Sequence, residues 1–152
     1  MAIRNILKKG DETLKKKSRE VGEITSRITT LLDDMKETME HAGGIGLAAP
    51  QVGVLRRVAV IRVDEEDAIE LINPVIVEQE GVQKEIEGCL SIPSVYGIVE
   101  RPARVVVEAL DRSGALLRYE GTELLARAFC HEIDHLDGVL FEESVIDRKS
   151  VV

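Results

Sequence analysis

Five short β-rich segments between residues 55 and 120 constrain the fold more than any other feature of this chain. They read RVAVIRV, ELINPVIVEQ, VYGIVE, ARVVVEALD and ALLRYEG. Gly, Pro, Asp or Ser separates them, which is typical of antiparallel strands joined by short connections. The chain has 152 residues, which is the usual length of one globular domain. We therefore expect residues 1–152 to form a single domain that contains antiparallel sheets.

Helical segments flank this β-rich region on both sides. Between Thr25 and Gly43 the apolar residues recur at helical spacing; they are Ile28, Leu31, Leu32, Met35 and Met39. Thr25 or Ser26 is suited to cap that helix, and Gly43 to end it. A second helix is predicted from Thr122 to Leu136, and the region 139–146 fits a last strand or a loop. The order predicts an α+β fold: an N-terminal amphipathic helix, then antiparallel sheets packed around the second helix.

Charge and hydropathy exclude several classes of function. The net charge of −8 argues against duplex nucleic acid as a direct ligand, because phosphate binding depends on clustered Lys and Arg. Residues 1–20 contain seven basic and three acidic side chains, a net charge of +4, which we interpret as solvated surface. The longest apolar runs have four or five residues, too short for a membrane span or a signal peptide. We expect a cytoplasmic protein with no membrane partner.

The stretch AGGIGLAAPQ at residues 42–51 has the spacing G-x-G-x-x-A. That spacing also occurs in loops that bind the pyrophosphate of a dinucleotide. Such a loop follows a strand and opens a helix, whereas here a predicted helix runs into the glycines. We therefore interpret the stretch as the wall of a different kind of site.

The strongest chemical signal is CHEIDHLDG at residues 130–138, which contains the motif H-E-x-x-H. On a helix, His131 and His135 project on the same face, about 40° apart and one turn from each other, so both rings can bind one metal ion. Glu132 lies to the side of that pair, where a carboxylate can transfer protons without binding the metal. The second helix is therefore predicted to bear an HExxH metal site.

Two imidazoles leave a catalytic metal in need of a third protein ligand. Cys130 lies about 100° around the helix from His131, so it is poorly directed and we expect it to serve in packing. Cys89 lies in EGCLSIP, where Gly88 permits an unusual turn or a close approach. Cys89 is the better candidate, although a small buried thiol in the core is the alternative.

Three blocks, GIGLAAPQ (44–51), EGCLS (87–91) and HEIDHLDG (131–138), resemble in order and approximate spacing the signature motifs of bacterial peptide deformylases. The resemblance covers most of the chain. It implies a single catalytic domain that removes the N-formyl group from the formyl-methionine of nascent polypeptides and releases formate. It also implies Cys89, His131 and His135 as ligands of one divalent metal ion per chain. The family typically uses Fe²⁺ in cells, and Zn²⁺, Ni²⁺ or Co²⁺ can occupy the site.

The same resemblance implies roles for further residues. Glu132 would be the proton carrier, and the Gln51 side-chain amide and the Leu90 backbone NH would stabilise the developing oxyanion. Asp134 would pair with Arg101 rather than bind metal, although an ordinary exposed carboxylate is the alternative. The residues implied to bind the peptide or to form its methionine pocket are Gly44, Ile45, Gly46, Leu47, Glu87, Gly88, Leu124 and Ala128.

Two departures from the family pattern and two rival functions remain. Position 130 is commonly Gln in the family but is Cys here, and the chain ends at Val152, so we do not expect ribosome contact through a long C-terminal helix. A zinc peptidase also uses H-E-x-x-H, but it usually completes its site with His or Glu rather than Cys. A non-catalytic metal-binding or peptide-binding module would not need Glu132.

Overall fold

A computed structural model of the chain describes residues 2–64 and 67–150. Its long helices are α1 (Ser26–Ala42) and α2 (Glu123–Leu136). Its strands are β1 (Gly46–Ala48), β2 (Val58–Ile61), β3 (Ile69–Glu80), β4 (Gln83–Cys89), β5 (Ile92–Arg101), β6 (Arg104–Leu110), β7 (Leu116–Thr122) and β8 (Val145–Ser150). Three short 3₁₀ helices lie at Glu12–Lys15, Ala49–Val52 and Phe141–Ser144.

The strands form two antiparallel sheets. One sheet has the order β1-β2-β3-β6-β7 and the other has the order β4-β5-β8. All strand pairs with a defined register within these sheets are antiparallel. The predicted α+β class with antiparallel sheets is therefore confirmed.

Helix α2 packs against the five-stranded sheet and also contacts the three-stranded one. Its buried residues, including Phe129, Ile133 and Leu136, form one core cluster with side chains of β1, β2, β3 and β6. From α2, Arg127 reaches the other sheet and donates hydrogen bonds to the carbonyl groups of Val99 and Glu85. The helix that bears the H-E-x-x-H motif therefore contacts both sheets.

Helix α1 covers the opposite face of the five-stranded sheet. Its apolar stripe packs in a second core cluster with residues of β1 and β2. The helix starts after the N-cap Thr25 and ends at Gly43, which has a left-handed φ of 72°. These bounds match the segment that the apolar periodicity predicts.

Three strands lie outside the segments predicted as β. Strands β1 and β4 have sequences rich in Gly or charged residues, GLA and QKEIEGC, so they lack the apolar alternation on which strand prediction depends. The region 139–146, which the sequence allows as a strand or a loop, contains a 3₁₀ helix and the start of β8. Within the described residues no helix combines the length and the apolar character that a membrane crossing requires.

Candidate metal centre and catalytic site

The three predicted metal ligands converge at the junction of the two sheets. One ligand atom each from Cys89, His131 and His135 lies within 4.8 Å of the others, and Cys89 Sγ is 3.3 Å from His135 Nε2. Cys89 is the last residue of β4, and both histidines lie on α2. A thiolate and two imidazoles form a donor set that suits Fe²⁺, Zn²⁺, Ni²⁺ or Co²⁺. Three protein ligands leave one position open, which is typical of catalytic rather than structural sites.

The two imidazoles have different surroundings. Burial alone would lower the pKa of His131, but hydrogen bonds with Cys89 and Glu87 raise it to about 10. His135 is almost fully buried, and burial, assisted by the nearby positive charge, lowers its pKa well below the usual range. The ring is therefore neutral, which is the form that binds a metal. The other ring, His131, is held by Glu87, whose carboxylate lies 3.0 Å from His131 Nδ1. A carboxylate at that nitrogen orients the imidazole and leaves Nε2 for the metal.

Glu87 is the centre of a buried charge network rather than only a pocket wall. Arg101 donates two hydrogen bonds of 2.9 Å to its carboxylate, and Arg127 lies 2.8 Å away. Burial alone would raise the pKa of Glu87, but the hydrogen bonds from His131 and Arg101 lower it to about 2. Arg101 also binds Asp134 at 2.6 Å, so the predicted pairing is confirmed.

Glu132 has the opposite environment. Its side chain is buried, and Oε1 has no hydrogen-bond partner among the described residues. Burial raises its pKa to about 7. Gly46 makes this position available, because a Cβ atom at residue 46 would collide with the carboxylate of Glu132. The glycine motif thus provides the space in which Glu132 lies beside the predicted metal ligands.

The Gln51 side chain connects the block GIGLAAPQ (44–51), to which it belongs, with the block EGCLS (87–91). Its Oε1 accepts a hydrogen bond of 2.9 Å from the Ala48 backbone NH, which fixes the orientation of the amide. Its Nε2 donates to Ser91 Oγ at 3.0 Å and points toward Cys89 Sγ at 3.6 Å. Gln51 is therefore buried and directed at the site, and it is not an exposed loop residue.

A cavity of about 590 Å³ opens onto this group. Of the residues predicted to contact the peptide, those that line it are Gly44, Ile45, Gly46, Glu87, Gly88, Leu124 and Ala128. The cavity also reaches Gln51, Cys89, Leu90, His131 and Glu132. The predicted substrate space, two of the predicted ligands and the predicted proton carrier thus share one cavity.

Leu47 is an exception, and its predicted place along the peptide path is wrong. It is fully buried in the core cluster under α1. Successive side chains of a strand point to opposite faces, so in β1 Gly46 faces Glu132 while Leu47 faces α1.

Other residues of this region were not predicted from the sequence. Ser91 holds the Gln51 amide, Arg127 pairs with Glu87, and Lys8 lies at the cavity wall. Ser91 belongs to the EGCLS block and was open to recognition there, whereas nothing in the sequence around Lys8 signals its position. Cys130 is buried in the core cluster of α2, which agrees with the packing role expected for it.

Comparison with known proteins identifies one family, through both a family profile and individual relatives. The profile of the family described as polypeptide deformylase matches residues 3–151. A peptide deformylase of Acetivibrio thermocellus is 65% identical over 146 residues, which cover 96% of this chain and 85% of that protein. A peptide deformylase of Alkaliphilus metalliredigens is 59% identical, with 96% of this chain and 99% of that protein covered.

Solved structures show the same fold. A peptide deformylase from Legionella pneumophila is 44% identical with a TM-score of 0.92, over 95% of this chain and 86% of that one. The complex of a peptide deformylase from Synechococcus elongatus with actinonin is 40% identical with a TM-score of 0.91, over 93% of this chain and 80% of that one.

Proposed function

The chain belongs to the polypeptide deformylase family, and from this premise we propose how its own residues carry out the family's reaction. The protein is a metal-dependent hydrolase that removes the N-formyl group from the formyl-methionine of nascent polypeptides and releases formate. The observation that carries the assignment of residues is the convergence of Cys89, His131 and His135 within 4.8 Å of one another, next to a cavity that Cys89, His131 and Glu132 line.

Cys89, His131 and His135 hold the metal ion. When bound, the ion supplies Lewis-acid chemistry, which lowers the pKa of water and polarises a carbonyl group. Fe²⁺ is the metal proposed for the cell, with Zn²⁺, Ni²⁺ or Co²⁺ as functional replacements, because the sulfur and imidazole donors accept all four. The buried partners of the ligands, Glu87 above all, support this assignment because they fix the ring of His131.

Glu132 carries the proton. It accepts a proton from the water that attacks the formyl carbon, and it then donates this proton to the amine nitrogen as the C–N bond breaks. Its free Oε1 and its pKa of about 7 suit both halves of this exchange at neutral pH. Formate and a free amino terminus leave.

The Gln51 amide and the Leu90 backbone NH stabilise the negative charge that develops on the formyl oxygen. Gln51 Nε2 donates one hydrogen bond to Ser91 Oγ, which orients the amide, and its second N–H, directed at Cys89 Sγ, is the one that would turn to the oxyanion. The methionine side chain occupies the part of the cavity between Ile45, Leu124 and Ala128. The extended peptide passes Gly44 and Gly46. Because glycine has no side chain, the backbone of the protein is accessible to the peptide at these two residues.

The cytoplasm is the proposed location. Cys89 and Cys130 are both free thiols, which is the usual state in a reducing compartment.

Formate release distinguishes this function from its rivals. We expect the protein to release formate from formyl-Met-Ala, and to leave acetyl-Met-Ala and unblocked peptides intact. Cleavage of internal peptide bonds without formate would instead identify a peptidase.

Metal analysis tests the ion. Protein purified without air is expected to contain about one Fe²⁺ per chain, and its activity should fall on exposure to air as the ion or Cys89 is oxidised. Stable activity in air with stoichiometric iron would contradict the predicted oxidation, and about one ion of another metal per chain would contradict the assignment of iron.

A further inference from the structure

The basic N-terminal arm, residues 2–9, touches the catalytic site at three consecutive residues. The Leu7 backbone NH donates a hydrogen bond of 2.7 Å to the carbonyl oxygen of Gln51. Lys8 Nζ donates one of 3.2 Å to the carbonyl oxygen of Leu90. The Lys9 backbone NH donates one of 2.8 Å to the carbonyl oxygen of Ser91. These three acceptors include both residues proposed to stabilise the oxyanion.

The acceptors belong to two short connecting segments. Leu90 and Ser91 are the two turn residues that join β4 to β5, immediately after the proposed metal ligand Cys89. Gln51 lies in the short 3₁₀ helix at Ala49–Val52. Short connecting segments open more easily than long strands and helices. Their geometry therefore depends on contacts with other parts of the chain.

The arm is itself anchored at both ends. Near its start, the Ala2 backbone NH and the Arg4 side chain bind the buried carboxylate of Asp34 on α1, at 2.7 and 2.8 Å. At its far end, Lys9 Nζ lies 2.9 Å from Glu142. A segment held at both ends can fix the turns that it crosses.

From these contacts we infer that residues 7–9 clamp the oxyanion-stabilising pair, and that Lys8 is a positioning residue for deformylation. Lys8 acts through Leu90: its ammonium holds the Leu90 carbonyl, and the same turn then presents the Leu90 NH to the cavity. This inference rests on the proposed function, which assigns Gln51 and Leu90 to the oxyanion.

The clamp predicts a loss in kcat rather than in binding. In Lys8→Met we expect kcat for formyl-Met-Ala to fall about tenfold, because small displacements of oxyanion donors are costly in the transition state. KM should stay within about twofold, since ground-state contacts of the peptide are unaffected. Lys8→Arg, which keeps a charged donor, should restore most of kcat.

Amide hydrogen exchange provides a readout that does not depend on activity. In Lys8→Met, peptides covering residues 88–93 should exchange faster, while those from α2 exchange as in the unmodified protein. Metal content should be unchanged. Lys16→Met is the matched control, because it removes the same charge from an exposed side chain that lies beyond the arm, and it should leave kcat and exchange unchanged.

The outcomes separate this inference from the proposed function. Normal kcat and normal exchange in Lys8→Met, together with a large loss in Gln51→Ala, would overturn the clamp alone. A raised KM at constant kcat would overturn it as well, because Lys8 would then contact the peptide directly. An equal loss of kcat in Lys16→Met would show that the effect comes from net charge, and it would overturn the clamp too. Full activity in Gln51→Ala would overturn the oxyanion assignment and the clamp together.

Discussion

Two glutamates near His131 have opposite electrostatic environments. The carboxylate of Glu87 is held by Arg101, Arg127 and His131, and its pKa is lowered to about 2. Glu132 is buried with one free oxygen, and burial raises its pKa to about 7. A pair of carboxyl groups whose pKa values are driven apart divides its roles between a fixed anion and a proton carrier. Glu87 therefore has a structural role as a fixed anion, and Glu132 is suited to proton transfer.

Glu132→Gln tests this division at the level of one residue. The amide keeps the shape of the side chain but cannot accept the proton, so we expect kcat to fall by about 10²–10⁴. Metal content and melting temperature should stay close to those of the unmodified protein. The measurement is formate release from formyl-Met-Ala alongside metal analysis. Unchanged turnover would show that another group is the base.

Gly46→Ala tests the space that Glu132 occupies. The new methyl group would meet the Glu132 carboxylate, so the carboxylate must move away from its position. We expect kcat/KM to fall by about 10², since displacement of a catalytic group by about 1 Å has effects of that size. Gly22→Ala is the control, because Gly22 has no neighbour within 4 Å of the added Cβ and no left-handed φ. Equal activity of the two variants would contradict the steric argument.

At the scale of elements, one charge network joins strands β4 and β5 to helix α2, which bears the H-E-x-x-H motif. Arg101 at the end of β5 binds Glu87 of β4 and Asp134 of α2, and its side chain is only 6% exposed. Charges buried to this degree are tolerated because each has a partner at hydrogen-bond distance. The network therefore sets the position of β4, which ends at Cys89, relative to the two histidines of α2.

Arg101→Met should destabilise the protein strongly. It leaves the Glu87 carboxylate buried with a reduced set of partners, and loss of one partner of a buried pair costs about 3–5 kcal/mol. Arg104→Met is the comparison: Arg104 also pairs with carboxylates, but they are 51–69% exposed, so we expect a much smaller loss. Urea unfolding of the metal-free proteins measures both. Similar losses in the free energy of unfolding would mean that burial does not strengthen the ion pairs of Arg101.

At the scale of the whole molecule, several ion pairs connect distant parts of the chain. Asp34 binds the N-terminal arm to α1, Glu70 of β3 binds Lys36 and Arg112, and Glu87 joins both sides of the site. Burial alone would raise the pKa of each of these carboxyl groups. Hydrogen bonds and positive charges outweigh that effect, and all three pKa values are lowered.

Stability should therefore fall in acid. A carboxyl group with a lowered pKa in the folded state stabilises that state fully above its unfolded pKa, about 3.9 for Asp and 4.3 for Glu. Its contribution is lost as the pH falls through the folded pKa, which for Glu87 is about 2. We expect the contribution of these three carboxyl groups to the free energy of unfolding to be level from pH 7 to about 5 and to decline below about 4.5. The raised pKa of Glu132 adds a separate pH dependence above that range, so the contribution is measured in urea as a difference between the unmodified protein and a variant.

Asp34→Asn provides the control for this pH dependence. The amide does not titrate, so the variant should be less stable at pH 7 and should lose less stability on acidification. An equally steep acid decline in the variant would show that the Asp34 pairing does not contribute.

The helices and most of the larger sheet were predictable because the sequence patterns that specify them lie within each segment. Apolar spacing and terminal glycines set the bounds of α1 and α2, and the H-E-x-x-H spacing places two imidazoles on one face of α2. β4 was not predictable from its charged sequence, although it delivers the third proposed ligand. The roles of Arg127 and Lys8 were not predictable either, because their contacts lie 28 to 82 residues away in sequence.

By itself, the sequence determined the chemical types at the site, namely a thiol, two imidazoles and a carboxylate, and the helix on which three of them lie. Tertiary structure decided that Cys89 comes within 4.8 Å of both histidines, that Gly46 gives space to Glu132, and that Leu47 points away from the cavity. The physical reason is that helical periodicity is a property of neighbouring residues. The meeting of β4 with α2 depends instead on the packing of two sheets and on a charge network contributed by separate elements.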